Sequence, residues 1–234
     1  MIPWLDNLNP EFPPVEQALK EPDGLLCAGG NLSVDTLANA YRQGIFPWFS
    51  DGQPILWWSP DPRMILTPET LRVSKSMRKL LRQQRNEERF QLTANRAFAQ
   101  VIQACAEIRQ AHEGTWITDD MQSAYIDFHK AGYAHSIEVW LDGSLVGGLY
   151  GIAMGRVFFG ESMFSRESNT SKLAFITLLQ TELFDVVDCQ VHTPHLESLG
   201  AHLVSRKSFI ERIQSLTRVS TRTLTTDTLF SKSL

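Results

Sequence analysis

Three polar residues stand inside stretches that otherwise read as buried strands. In Val187-Asp188-Cys189-Gln190-Val191 a carboxylate and an amide lie two positions apart, which on an extended strand puts both on one face and Cys189 on the other, so that their side chains meet. Glu161 emerges in the same way from the end of Val157-Phe158-Phe159-Gly160. A carboxylate beside an amide can orient and polarise a substrate amine, and it can equally serve as a satisfied structural hydrogen bond at a strand end. Other chemistry finds less support. Gly160-Glu161-Ser162-Met163-Phe164 begins like a nucleophile elbow but lacks the second glycine that relieves the strained turn. His192, His195 and His202 lack the spacing of a known zinc site, so no metal is expected, and neither a phosphate-binding P-loop nor a dinucleotide glycine pattern occurs.

A positive stripe offers a second kind of chemistry. Every charge from Arg72 to Arg85 is positive, with no acid between Glu69 and Glu87, and Lys75, Arg78, Lys79 and Arg82 follow the i, i+3, i+4, i+7 rule that gathers them on one helix face. Such a face can hold the phosphates of a nucleic acid; a merely solvated helix surface is the alternative. The chain as a whole carries a formal charge of −4, which excludes a uniformly basic binder and leaves any nucleic-acid contact to this local patch.

These residues need a scaffold, and 234 residues with 43% hydrophobic and 21% charged suffice for one large or two small soluble domains without staples. The longest nearly apolar stretch, 145–155, is far short of the roughly 20 residues of a membrane span. The segment before Lys20 carries acids and prolines rather than the basic start and apolar run of a secretory signal. Cys27, Cys105 and Cys189 are odd in number and widely spaced, which suits reduced thiols in a cytoplasmic protein.

Residues 1–62 form a small Pro-, Gly- and Trp-rich unit, with one helix that starts after Ser33 and stops at Gly44. Trp4, Trp48, Trp57 and Trp58 lie here, as a small aromatic core or as a ligand platform. Residues 63–234 form the larger unit. After the basic helix come two amphipathic helices, one through Phe98, Val101, Ile102, Cys105 and Ile108, the other capped by Thr118 and carrying Met121, Tyr125 and Phe128. The period then changes: strands are predicted at 135–141, 144–154 and 156–161, with Asp142-Gly143 as a hairpin turn, then a helix over 169–183 and a strand at 186–191. The β-β-β-α-β order is an α+β arrangement, a mainly antiparallel sheet flanked by helices. The last twenty residues, half Ser or Thr, read as an edge strand or a loosely held tail.

Six motifs in this order carry a resemblance: Gly-Ile-Phe-Pro-Trp-Phe-Ser (44–50), Trp-Trp-Ser-Pro-Asp-Pro-Arg (57–63), Glu-Gly-Thr-Trp-Ile-Thr (113–118), His-Ser-Ile-Glu-Val-Trp (135–140), Phe-Gly-Glu-Ser-Met-Phe-Ser-Arg (159–166) and Asp-Cys-Gln-Val (188–191). From about residue 10 to 212 the chain resembles the leucyl/phenylalanyl-tRNA–protein transferase family, the bacterial enzymes of the N-end rule. The resemblance implies transfer of Leu, Phe or, less readily, Met from aminoacyl-tRNA to the α-amine of a protein beginning with Arg or Lys, which marks that protein for degradation. It implies an acetyltransferase-like C-terminal domain; a monomer without membrane contact is expected, and no cofactor, because an aminoacyl ester is already activated. Asp188, Gln190 and Glu161 match the catalytic residues, and Trp48 and Trp116 those that hold the aminoacyl-adenosine. Phe158, Met163, Phe175, Leu178 and Val187 fall where the family lines its amino-acid pocket, and the stripe at Lys75, Arg78, Lys79 and Arg82 is then a tRNA contact. Two other classes fit less well. An acyl-CoA-dependent N-acetyltransferase would need an Arg-x-x-Gly-x-Gly/Ala loop that is missing after the third strand, and a non-catalytic RNA-binding module would leave Glu161, Asp188 and Gln190 without purpose.

Overall fold

The computed structural model describes residues 2–110 and 116–230, apart from the side chains at 85 and 86. A small sheet is built from β1 (Trp4–Leu5), β2 (Leu25–Gly29), β3 (Phe46–Pro47) and β4 (Leu56–Trp58), in spatial order β1-β2-β4-β3, with α1 (Val34–Arg42) between β2 and β3. The predicted cap is in place: the Ser33 hydroxyl accepts the Thr36 N–H. Gly44 ends the helix region at φ +71°, a left-handed backbone in which a side chain is strained, and a Cβ there would also force Ile210 Cδ1, 2.4 Å away, to shift.

A larger sheet follows. Along the chain come β5 (Arg63–Leu66), α2 (Lys75–Glu87), β6 (Gln91–Ala94), α3 (Phe98–Gln110), α4 (Asp119–Lys130), β7 (Ala134–Leu141), β8 (Ser144–Met154), β9 (Val157–Ser165), α5 (Thr170–Gln180), β10 (Val186–Gln190), α6 (Pro194–Ser198), β11 (His202–Val204), α7 (Arg206–Leu216) and α8 (Thr226–Leu229). The seven strands lie in the order β11-β5-β10-β9-β8-β7-β6, all antiparallel to their neighbours except β9 and β10, which run parallel. The fold is α+β, a mainly antiparallel sheet flanked by helices. The predicted hairpin forms with Asp142 and Gly143 both at positive φ, the geometry that matches strand twist.

Side chains alternate across this sheet into two cores. Phe159 joins Tyr41, Trp57, Tyr125 and Tyr150 in a cluster that runs under α3 and α4 and continues into the small sheet. Phe158 faces the other way, to Phe175, Leu178, Val187 and Leu224 under α5.

Some boundaries differ from the pattern reading. The third meander strand runs on to Ser165, α5 stops at Gln180 and β10 ends at Gln190, where left-handed Glu182 (φ 54°) and Gln190 (φ 61°) turn the chain. The Ser/Thr-rich tail is neither an edge strand nor loose through residue 230. Its Leu224 is fully buried and accepts from Asn95 Nδ2 at 2.6 Å, while the Thr221 and Thr226 hydroxyls accept the N–H groups of Gly155 and Ala94. Hydroxyls that satisfy otherwise orphaned backbone donors make a polar segment structural. Among the described residues no helix is long and apolar enough to cross a membrane.

Candidate active site

The site grows from the parallel strand pair. β9 and β10 pair only from Val157–Phe159 and Val186–Asp188, after which β9 continues with β8 while β10 turns away. Each strand carries a bulge where they part: Glu161 is the extra residue opposite Tyr150 and Gly151, and Cys189 is the extra residue opposite Ile65 and Met64. A bulge breaks the two-residue alternation and re-aims side chains. It therefore overturns the expectation that Asp188 and Gln190 present their side chains to each other. Asp188 is fully buried, and its two carboxylate oxygens accept Arg63 Nε at 2.8 Å and Arg63 Nη2 at 2.7 Å. Its link to Gln190 runs through the backbone, the Gln190 N–H donating to Oδ1 at 2.9 Å. That bond holds Gln190 at φ 61°, where a non-glycine residue is strained. Arg63 is fixed in turn by the Gly44 carbonyl at 3.1 Å and by the Phe46 and Phe209 rings, whose centroids lie 4.8 and 4.7 Å from its guanidinium carbon.

Gln190 instead meets Glu161, its Nε2 donating to Oε1 at 3.0 Å. The same carboxylate accepts Tyr41 Oη at 2.7 Å and Tyr125 Oη at 3.2 Å, and the two phenol oxygens are 2.5 Å apart. Burial lifts the Glu161 pKa to about 7, with the nearby Asp188 charge adding to the rise while the tyrosine and glutamine donors oppose it. Burial and the neighbouring carboxylate push both tyrosines well above their ordinary range, so they remain donors near neutrality. The site thus contains a carboxylate poised to gain or lose a proton near pH 7, tied to an amide whose oxygen can accept from a substrate amine.

Around this pair lies a cavity of about 780 Å³. Phe158, Met163, Phe175 and Val187 line it, together with Leu149. Leu178 does not: it sits one helical turn from Phe175, fully buried in the core behind it. Trp48 and Trp116 both line the cavity, Trp48 as an exposed ring beside Trp58 and Trp116 half-buried. Trp57 is a core residue whose Nε1 donates to the Gly29 carbonyl, so the aromatic N-terminal segment is part core and part cavity wall. Of the 113–118 motif, 113–115 lie outside the described residues.

Elsewhere Lys75, Arg78, Lys79 and Arg82 are exposed along α2, as the spacing predicted, and none joins an ion pair among the described residues. The Arg85 side chain lies outside them. No group of three or more His, Cys, Asp or Glu side chains suited to a metal occurs among the described residues. His192 pairs with Glu197, and His195 lines the cavity. Gly160, Glu161 and Ser162 all stay within β9, whose bulge at Glu161 forms no strand-to-helix elbow.

Comparison with known proteins decides between the classes. A family model described as leucyl/phenylalanyl-tRNA protein transferase matches residues 65–214, and one for the N-terminal domain of that transferase matches 30–61. The chain belongs to the leucyl/phenylalanyl-tRNA–protein transferase family. Proteins of that name from Azoarcus sp. (strain BH72) and Pseudomonas paraeruginosa (strain DSM 24068 / PA7) are 56% and 57% identical over 93% and 92% of this chain, covering 92% and 94% of their own lengths. The Aromatoleum aromaticum relative is 59% identical over 89% of this chain and 87% of its own. Structural likeness is distant: a ribosomal-protein-alanine N-acetyltransferase from Brucella melitensis aligns with 58% of this chain and 97% of its own at 12% identity and a TM-score of 0.35. The chain is thus an aminoacyl-tRNA–protein transferase, and the leucyl/phenylalanyl-tRNA–protein transferase fold places Tyr41, Arg63, Arg109 and Tyr125 at the site besides the residues foreseen. Tyr41 and Tyr125 gave no distinct signal, because their rings sit on the apolar stripes of α1 and α4.

Proposed function

We propose that the enzyme moves Leu, Phe or, less readily, Met from aminoacyl-tRNA to the N-terminal α-amine of proteins beginning with Arg or Lys, creating an N-end-rule degradation signal in the cytoplasm, and that it works as a monomer without a cofactor. The observation that carries this reading is a buried carboxylate, bonded to Gln190 and to two tyrosines, at an apolar cavity walled by two tryptophans. An aminoacyl ester is already activated, so catalysis needs placement of an unprotonated amine and management of one proton. In the proposed step the amine donates to the Gln190 side-chain oxygen and attacks the ester carbonyl. The N–C bond forms, the ester C–O bond breaks, and the proton that Glu161 takes from the amine passes to the departing ribose oxygen, which leaves as a hydroxyl. Asp188 and Arg63 act as positioning residues, fixing the backbone of Gln190. The boundary at residues 62/63 is proposed to separate the N-terminal domain from the catalytic one, since it falls between β4 of the small sheet and β5 of the large one. Incubation with radiolabelled Leu-tRNA and an Arg-starting peptide, with acetyl-CoA in a parallel tube, should label the peptide only from the tRNA; acetylation instead would replace this reading.

Phe158, Met163, Phe175 and Val187 are proposed to receive the amino-acid side chain, with Trp48 and Trp116 holding the terminal adenosine. An apolar pocket rejects polar side chains by desolvation but resolves one methylene by only about 1 to 3 kcal/mol. Donor preference should therefore be graded, with Leu and Phe good, Met acceptable, and Ile and Val poor because branching at Cβ widens the chain at the mouth. Valine transferred as fast as leucine would show that shape is not read.

The α2 stripe is proposed to hold tRNA phosphates. Replacing Lys75, Arg78 and Arg82 together by Ala should weaken tRNA binding and flatten its salt dependence, each lost contact removing roughly 0.7 to 0.9 from the log–log slope. Transfer from leucyl-adenosine, which lacks those phosphates, should change little. Equal losses with both donors would give the stripe a structural role.

A further inference from the structure

Arg109, the residue before the last in α3, lines the cavity but takes no part in the network of Glu161, Gln190 and Asp188. Its Nε donates to Ser162 Oγ at 3.0 Å, and its guanidinium carbon lies 5.8 Å from the centroid of the Trp116 ring. Ser162 is itself buried, the next residue along β9 from Glu161. Its Nε is thus anchored and its charge set over the Trp116 ring, while its terminal nitrogens make no hydrogen bond among the described residues and can bind a ligand. No ion pair of the described residues involves it. An exposed, oriented guanidinium of this kind matches a phosphate, which takes two parallel N–H donors.

The place of the phosphate follows from the stack. A nucleoside stacked on Trp116 with its 5′ carbon towards α3 would bring its own phosphate to the cation held against the same ring. The Ser162 anchor ties that cation to the strand bearing Glu161, so a phosphate bound there fixes the distance between the nucleotide and the reacting ester. We infer that Arg109 holds the phosphodiester on the 5′ side of the donor's terminal adenosine. The assignment rests on the proposed reading of the cavity as an aminoacyl-tRNA site and extends it from a nucleoside to a nucleotide.

The test compares leucyl-adenosine with the same donor carrying a 5′-phosphate methyl ester, which copies the single charge of the phosphodiester. The wild-type enzyme should use the phosphorylated donor with a kcat/KM roughly tenfold or more higher, the range of a charge-assisted hydrogen-bonded contact. In Arg109→Gln that ratio should collapse towards one, and Arg109→Lys should recover part of it, because a point charge remains while the paired donors are lost. Adenosine and its 5′-phosphate methyl ester, used as competitive inhibitors of the same variants, give the ratio even where transfer is too slow to follow. An undiminished ratio in Arg109→Gln, or no phosphate preference in the wild type, would overturn the assignment while leaving the transferase reading intact. No transfer from either leucyl donor or from Leu-tRNA would instead overturn the transferase reading, and the phosphate seat with it.

Discussion

Asp188→Asn is expected to cost the enzyme both its stability and its transfer activity. Arg63 and Asp188 are 1% and 0% exposed and bonded through two parallel contacts, so removing the negative charge leaves a guanidinium buried without compensation. Breaking such a pair from one side typically costs about 3 to 5 kcal/mol. For a chain of this size that is a fall in Tm on the order of 10 °C. The asparagine amide would also turn N–H donors toward the donors of Arg63. Replacing both partners by apolar residues of similar volume, Arg63→Met with Asp188→Leu, should restore most of the stability, because the unpaired charge disappears with its partner. Transfer should stay low in that double variant. Gln190 would keep its left-handed backbone without the carboxylate that accepts its N–H, and its amide would no longer be held against Glu161. Melting temperature, donor affinity and single-turnover transfer on the three proteins separate the roles. Full transfer by the double variant would reduce the pair to a structural clamp, and a stable, active Asp188→Asn would remove it from the site.

The sequence exposed this site unevenly, and the reasons are physical. Glu161, Asp188 and Gln190 stood out because a polar residue in an apolar strand must be satisfied or used. How they face one another was not visible, since a bulge adds one residue to one strand and leaves no mark on composition, while pattern reading assumes a strict period of two. The partners of Glu161 and Asp188 were hidden by distance along the chain. Tyr41 lies 120 residues before Glu161 and Arg63 lies 125 before Asp188, and each looks ordinary locally, one as part of a helix face and the other as the end of a proline-rich turn. Long meander strands such as β8 were legible through their length and their Asp142-Gly143 turn. The small sheet was not: β1 and β3 have two residues each, too few to display any period. The tail misled because ten hydroxyl residues suggest solvent, whereas Leu224 and Leu229 bury themselves and the threonines cap backbone donors.

Glu161→Gln should produce the sharpest change in the pH dependence of transfer. Positioned proton transfer is worth roughly 10²- to 10⁴-fold, and a loss of that order is expected in single-turnover rate with little change in donor binding. The wild-type rate should rise with pH through about 7 as the carboxylate loses its proton. A second rise, near pH 8, belongs to the acceptor's own α-amine, whose usual pKa is about 7.7 to 8.0. Glu161→Gln should retain only that second rise. Stability moves in the opposite sense. Because folding raises the Glu161 pKa, the protonated form is the one the fold favours; its contribution is complete below the ordinary glutamate value and fades as pH rises through about 7. The wild type should therefore lose stability relative to Glu161→Gln between about pH 5 and pH 8, while it gains activity over the same interval. Tyr41→Phe supplies an independent check. The Tyr41 hydroxyl stabilises the charged carboxylate, so removing it should push the pKa further up and move the first rise in rate to more alkaline pH. A Glu161→Gln enzyme that keeps the rise near 7, or a Tyr41→Phe profile shifted towards acid, would show that another group manages the proton.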